Sequence, residues 1–132
     1  MKTAQLNIPG SIGELFDKIT ILEIKAARIA DAEKLQNVKH ELALLHVLEA
    51  ESRVSDAEQM RLVAELKSIN EALWEIEDAI RDCERRQDFG AEFVSLARSV
   101  YKTNDRRADV KRQLNLRFGS RIIEEKSYTS QK

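Results

Sequence analysis

The stretch LVAELKSINEALWEIEDAIRDC, residues 62–83, carries apolar side chains at Leu62, Leu66, Ile69, Leu73, Ile76, Ile80 and Cys83. The steps alternate four and three for three heptads, a spacing that keeps one side of an α-helix apolar and lets it pack along another helix. Ser55-Asp-Ala-Glu58 has the form of a capping box, in which the serine hydroxyl takes the amide three residues on and the glutamate reaches back. The spacing therefore predicts a helix over 56–87, about 48 Å long at 1.5 Å per residue. A second apolar stripe, Phe93, Leu96, Ala97, Val100 and Tyr101, resumed by Leu114 and Phe118, predicts a helix of similar length over 90–118. The short link from Gln87 to Gly90 makes the two antiparallel neighbours, a coiled-coil-like helical hairpin.

Working outward, Ser11-Ile-Gly-Glu14 is another capping box, and Ile12, Leu15, Ile19, Leu22, Ala26 and Ile29 continue from it in threes and fours. The stripe loses phase after Ile29, because the next apolar residues are Leu35, Val38, Leu42 and Leu45 rather than positions 33 and 36. Two helices result, over 11–31 and 32–52. Residues 1–10 alternate polar with apolar before Pro9-Gly10 and read as an extended arm; 119–132 are a polar tail. The chain is thus expected to be one all-α domain over 1–132, a four-helix antiparallel bundle whose third and fourth helices form the long hairpin.

Composition narrows the function classes. The 22 basic and 23 acidic residues leave a net charge of -1, which argues against a general nucleic-acid or membrane-surface binder. No run approaches the ~20 apolar residues of a membrane span, and no basic-then-apolar leader opens the chain. One cysteine cannot form an internal disulfide, so a cytoplasmic location is the default expectation. The charge is unevenly spread: residues 98–121 hold eight bases against Asp105 and Asp109, and 56–88 hold ten acids against five bases. These two segments are expected to pair across the helix seam.

Candidate chemistry lies where polar residues interrupt or flank the stripes. The first helix has a second row, Glu14, Asp17, Ile21, Ile24 and Arg28; a helix apolar on two faces is central or lies at a subunit contact. Ile21 and Ile24 are accordingly the interface candidates. Glu14 and Asp17 either complement the helix dipole as first-turn acids or approach buried ground, where a carboxylate needs a cation, a metal or several donors. Beside the long seam, Asn70, Trp74, Glu77 and Arg81 share a face, and the stripe of the fourth helix gives way to Asn104, Asp105, Arg107 and Lys111. Several polar groups in mid-helix are more than register demands. Glu14, Asp17, Trp74, Glu77, Arg81, Asn104, Arg107 and Lys111 are therefore the ligand-binding candidates.

Other chemistries are set aside on spacing. His40 and His46 are six apart, about 120° round a helix, and cannot form a zinc pair. No phosphate-cradling glycine loop or nucleophile elbow is present, and Cys83 sits on the apolar seam as a small hydrophobe.

Ser11-Ile-Gly-Glu-Leu-Phe-Asp-Lys-Ile-Thr-Ile-Leu-Glu-Ile-Lys25, with Leu73-Trp-Glu-Ile-Glu-Asp78, Asn104-Asp-Arg-Arg-Ala108, Gly119-Ser120 and Glu124-Glu-Lys-Ser-Tyr128, resembles an uncharacterised family of small bacterial proteins, a domain of unknown function. The resemblance spans nearly the whole chain and implies no catalytic residues. Two looser likenesses imply chemistry. Glu14-x-x-Asp17 and Glu75-x-x-Asp78 are similar in form to the magnesium-holding pairs of all-α nucleotide pyrophosphohydrolases, without their adjacent glutamates. Arg28, Arg81, Arg107 and Lys111 are similar in kind to the cations with which helical chorismate mutases bind a dianion. Two readings stay open at this level. The first is a helical self-association or partner-binding module; the alternative is a small-anion binder or metal-dependent enzyme acting on a nucleotide-like or dianionic substrate between helices one, three and four.

Overall fold

The computed structural model describes residues 4–52 and 56–128. It has four helices, α1 (Ile12–Arg28), α2 (Ala32–Ser52), α3 (Ala57–Arg85) and α4 (Ala91–Arg117), and no strand among the described residues. None of these helices is long and apolar enough to cross a membrane.

The caps depart in part from the expected boxes. Ser11 does accept the Glu14 N–H at 3.0 Å, but the Glu14 carboxylate turns to Lys111 rather than back to the cap. At α3 the cap is Asp56, whose carboxylate accepts the Gln59 N–H at 2.8 Å. Ser55, the expected cap, lies outside the described residues, and Glu58 pairs with Arg61 instead of reaching back.

The α3–α4 turn and the end of α4 close the same way. At the first, the Asp88 and Gln87 N–H groups return to Cys83 and Glu84 carbonyls with Gln87 at φ 54°; at the second, Ser120 N–H returns to Asn115 O at 2.9 Å with Gly119 at φ 66°. The first is a Schellman ending, and the second shares its longer bond and its left-handed residue. The left-handed residue of the second is a glycine, the residue type that adopts it without cost. That reversal turns the tail back over the start of α1.

Helix α1 is the centre of the molecule: it packs on α2, α3 and α4, whereas α2 packs on α1 alone. Its two apolar sides are thereby explained without a second subunit. Phe16, Ile19, Leu62, Leu66, Ile69, Val110 and Leu114 form the buried core, with Leu42, Leu45 and Leu73 packed against it. At 1.5 Å per residue α1 spans about 25 Å and α3 about 43 Å, so the hairpin runs on past the end of α1 near Glu75, where Arg28 meets it. This accounts for the fading of the seam: Leu62, Leu66 and Ile69 are buried, Leu73, Ile76 and Ile80 only half-buried, and Cys83 is covered again at the hairpin turn. Phe89 and Phe93 stack edge to face there, 5.3 Å apart.

The expected pairing of acidic α3 with basic α4 is largely not made. Among the described residues only Arg117–Asp56, at 3.6 Å, joins the two charged segments. The acids of α3 pair mainly within α3, as in Glu58–Arg61–Glu65 and Glu77–Arg81. The central bases of α4 turn to α1 and to the tail. The reason is position: Arg107 and Lys111 sit beside Val110 and Leu114, on the part of α4 that packs on α1.

Candidate functional site

Where α1 crosses α4 the backbones come close. Gly13 N–H donates to Asn115 Oδ1 at 2.6 Å, and a Cβ at residue 13 would lie 2.5 Å from the Lys111 carbonyl oxygen. Ile12 N–H donates to the Ser120 hydroxyl at 3.2 Å. Two of the free N–H groups that every helix start presents are thus satisfied by α4 and the turn that follows it. This close approach brings the acids of α1 under the bases of α4.

Asp17 is 1% exposed. Its carboxylate accepts both Nε (2.9 Å) and Nη2 of Arg107, a two-pronged pair, and the Asn70 amide at 3.0 Å. The same amide donates to the Thr20 hydroxyl at 3.0 Å, and that hydroxyl donates to Asp17 O at 2.9 Å. A buried carboxylate requires such compensation. The Asp17 hydrogen bond raises the pKa of Arg107, so the guanidinium stays charged at any working pH. Lys111 is 15% exposed and donates to Glu14 at 2.8 Å, with Asp17 and Glu124 at 3.9 and 3.7 Å.

Arg107 remains 30% exposed. Of its five N–H groups, two hold Asp17 and one reaches Asn104 Oδ1 at 3.5 Å. Its outer edge, with Asn104, lines two depressions. One, of about 310 Å³, lies between α1, α3 and α4 and is walled by Ile21, Ile24, Leu73, Trp74 and Val100, with Asn70 and Glu77 at its margin. The other, of about 330 Å³, lies between α4 and the returning tail and is walled by Lys111, Arg112, Asn115, Glu124 and Glu125. Trp74 is half-buried, and the Arg28 guanidinium stacks on it at 5.6 Å.

Of the ligand-binding candidates, the structure brings Glu14, Asp17, Asn104, Arg107 and Lys111 into one network, with Trp74 and Glu77 across the groove. Arg81 is not among them: it is exposed and bonded to Glu77 at 2.9 Å. Of the interface candidates, Ile24 is 4% exposed and covered from within the chain, whereas Ile21 is half-buried and lines the groove. Glu14 and Asp17 are held by Lys111 and Arg107, while Glu75 lies on Arg28 and does not join them. Among the described residues no three His, Cys, Asp or Glu side chains gather as a metal site would require. Sequence reasoning missed Thr20, Asn115, Ser120 and Glu124, polar residues whose roles depend on the α1–α4 crossing; the small Gly13 inside a helical stripe was the signal for that crossing.

An all-α protein with a buried ion-pair network flanked by two depressions is what the fold and site define. The chain belongs to a family of unknown function (DUF6165), whose family model matches residues 6–131. No curated protein and no solved structure matches it.

Proposed function

We propose that this protein binds a small molecule carrying an anionic group, with Arg107 taking the charge and the groove between α1, α3 and α4 taking an apolar or ring-shaped body. The observation that carries this reading is the half-engaged guanidinium: Asp17 fixes one edge of Arg107 from below, and its free edge lines a groove whose other wall is Trp74. An arginine held by a buried carboxylate is preorganised, so little side-chain entropy is lost when a carboxylate or phosphate docks on it. Apolar walls with a few convergent polar groups are the usual make-up of ligand sites. Catalysis would need a general base or nucleophile beside the ligand; Glu77, bonded to Arg81, is the carboxylate that lines the groove. The single buried thiol of Cys83 suits the cytoplasm, where we place the protein.

A thermal-shift panel of nucleotides, nucleotide sugars, aromatic carboxylates and prephenate-like dianions, each with and without magnesium, tests the reading, because a ligand that favours the native state raises apparent stability. Stabilising compounds are expected to share an anionic group and to lose their effect in Asn104→Asp, which sets a competing carboxylate beside Arg107. Stabilisation by neutral compounds alone, undiminished in that variant, would overturn it.

A second reading, a self-associating helical module, is favoured by α2, which has no buried residue. Leu44, Val47 and Leu48 form an exposed row along it, and such rows are unusual on a monomer. Sedimentation equilibrium at micromolar concentration tests it: association expected for the wild type should vanish in Leu48→Glu, and a monomer throughout removes this reading.

A further inference from the structure

The tail returns over α4 with no helix or strand of its own, and residues 121–128 are exposed. Polar contacts hold it. Glu124 Oε1 accepts the Ser11 hydroxyl at 2.9 Å and lies 3.7 Å from Lys111 Nζ. Glu125 Oε1 accepts Arg112 Nη1 at 2.7 Å, and Lys126 donates to Asp105 at 2.6 Å. Two adjacent carboxylates are therefore spread across a hydroxyl, an ammonium and a guanidinium at the mouth of the 330 Å³ cavity. The α4 side of that cavity is built: Asn115 is buried and Lys111 is 15% exposed, and the buried Ser11 holds Glu124 from beside it. Asn115 directs its oxygen to Gly13, and as a cavity-lining residue it offers its amide N–H groups as further donors.

The geometry points to this cavity as a binding site for a phosphate-type dianion, free or as the phosphoryl group of a larger molecule, in which Glu124 and Glu125 stand in for the ligand until it arrives. Charge selects the class. The charged residues lining the cavity are the cations Arg107, Lys111, Arg112 and Lys126 and the acids Glu124 and Glu125; Asp17, Glu14 and Asp105 pair with three of those cations from outside it, so a dianion that takes the place of the two tail carboxylates restores the two negative charges they supply. A single carboxylate cannot reach both Ser11–Lys111 and Arg112, whereas a tetrahedral phosphate offers several acceptor oxygens to donors arriving from different directions. The tail is displaced rather than consumed, so the site is gated by competition between tethered and free anions.

This site shares only Asn104 and Arg107 with the groove that Trp74 lines and does not depend on that groove being a ligand site. Inorganic phosphate, pyrophosphate and glycerol 3-phosphate, with acetate as control, would be titrated by calorimetry into the full chain and into Glu124→Gln/Glu125→Gln. Circular dichroism would confirm that both are folded. Exposed ion pairs contribute little apiece, so removing the two tail charges is expected to tighten dianion binding by about three- to tenfold, and Arg112→Ala to weaken it. Tighter binding of glycerol 3-phosphate than phosphate would identify a phosphoryl group on a larger molecule, and the reverse the free ion; either supports the site. Equal affinity in wild type and the double Gln variant, no dianion binding to either, or acetate binding as tightly as phosphate would overturn it. Trp74 fluorescence recorded in the same titrations separates this proposal from the groove, since a dianion under the tail leaves it unchanged.

Discussion

Replacing Arg107 by alanine removes both prongs from a carboxylate that is 1% exposed. Asp17 would keep the Asn70 amide at 3.0 Å and a lysine at 3.9 Å, too little to compensate a charge in that position. Breaking a buried pair by deleting one partner costs about 3–5 kcal/mol, because the other charge is left behind. For a chain of this size the loss corresponds to a Tm lower by roughly 10–20 °C. Urea unfolding followed by circular dichroism reads the change as a lower midpoint at unchanged slope. The double variant Asp17→Leu/Arg107→Met, which removes both charges, is expected to recover most of the loss, as apolar replacements of buried pairs do. A cost below about 1 kcal/mol for Arg107→Ala, the range of exposed pairs, or a double variant no better than the single one, would refute the picture of a buried carboxylate held by this arginine.

Other consequences follow from the same geometry. Gly13→Ala should destabilise by about 1–3 kcal/mol, as overpacking does, although alanine is the better helix former by about 1 kcal/mol; the added carbon meets the Lys111 carbonyl and Asn115, and the midpoint of urea unfolding reads the sign. Burial pushes the Cys83 thiol pKa up, so a thiol reagent at pH 8 should react slowly with the native protein and quickly in urea. Hydrogen bonds from Arg85 and Arg86 hold the Asp82 carboxyl below its usual 3.8. Its contribution is therefore complete above that pH and lost as the pH falls through the lower folded value, and the stability gap between wild type and Asp82→Asn should be constant from neutral pH to about pH 5 and close only in strong acid.

Much of the fold was legible because it rests on local rules. The four-three spacing of Leu62 to Cys83 marked α3, and the loss of phase after Ile29 marked the break before α2. What the sequence could not carry was which helix each face meets. Glu14 looks like half of a capping box until α4 brings Lys111 within 2.8 Å. The basic run of α4 looks like the complement of acidic α3 until α1 is found lying under it. Ile21 and Ile24 look like an interface row because sequence shows two apolar sides but not that α1 is central. Of the site, Asp17, Asn104, Arg107 and Lys111 were readable as polar breaks in apolar stripes. Thr20, Asn115 and Glu124 were not, since a polar residue acquires meaning there only from the crossing at Gly13.

Trp74 is the only tryptophan in the chain and forms one wall of the groove that Arg107 closes, so its fluorescence reports on that site alone. The most direct test is to titrate the folded protein with the anionic compound that stabilises it most in the thermal panel while recording Trp74 emission. The account predicts a saturable change in emission that is lost in Asn104→Asp with the fold retained. Trp74 emission unaltered by every stabilising anion of the panel, or an anion that alters emission yet binds Asn104→Asp equally well, would contradict it.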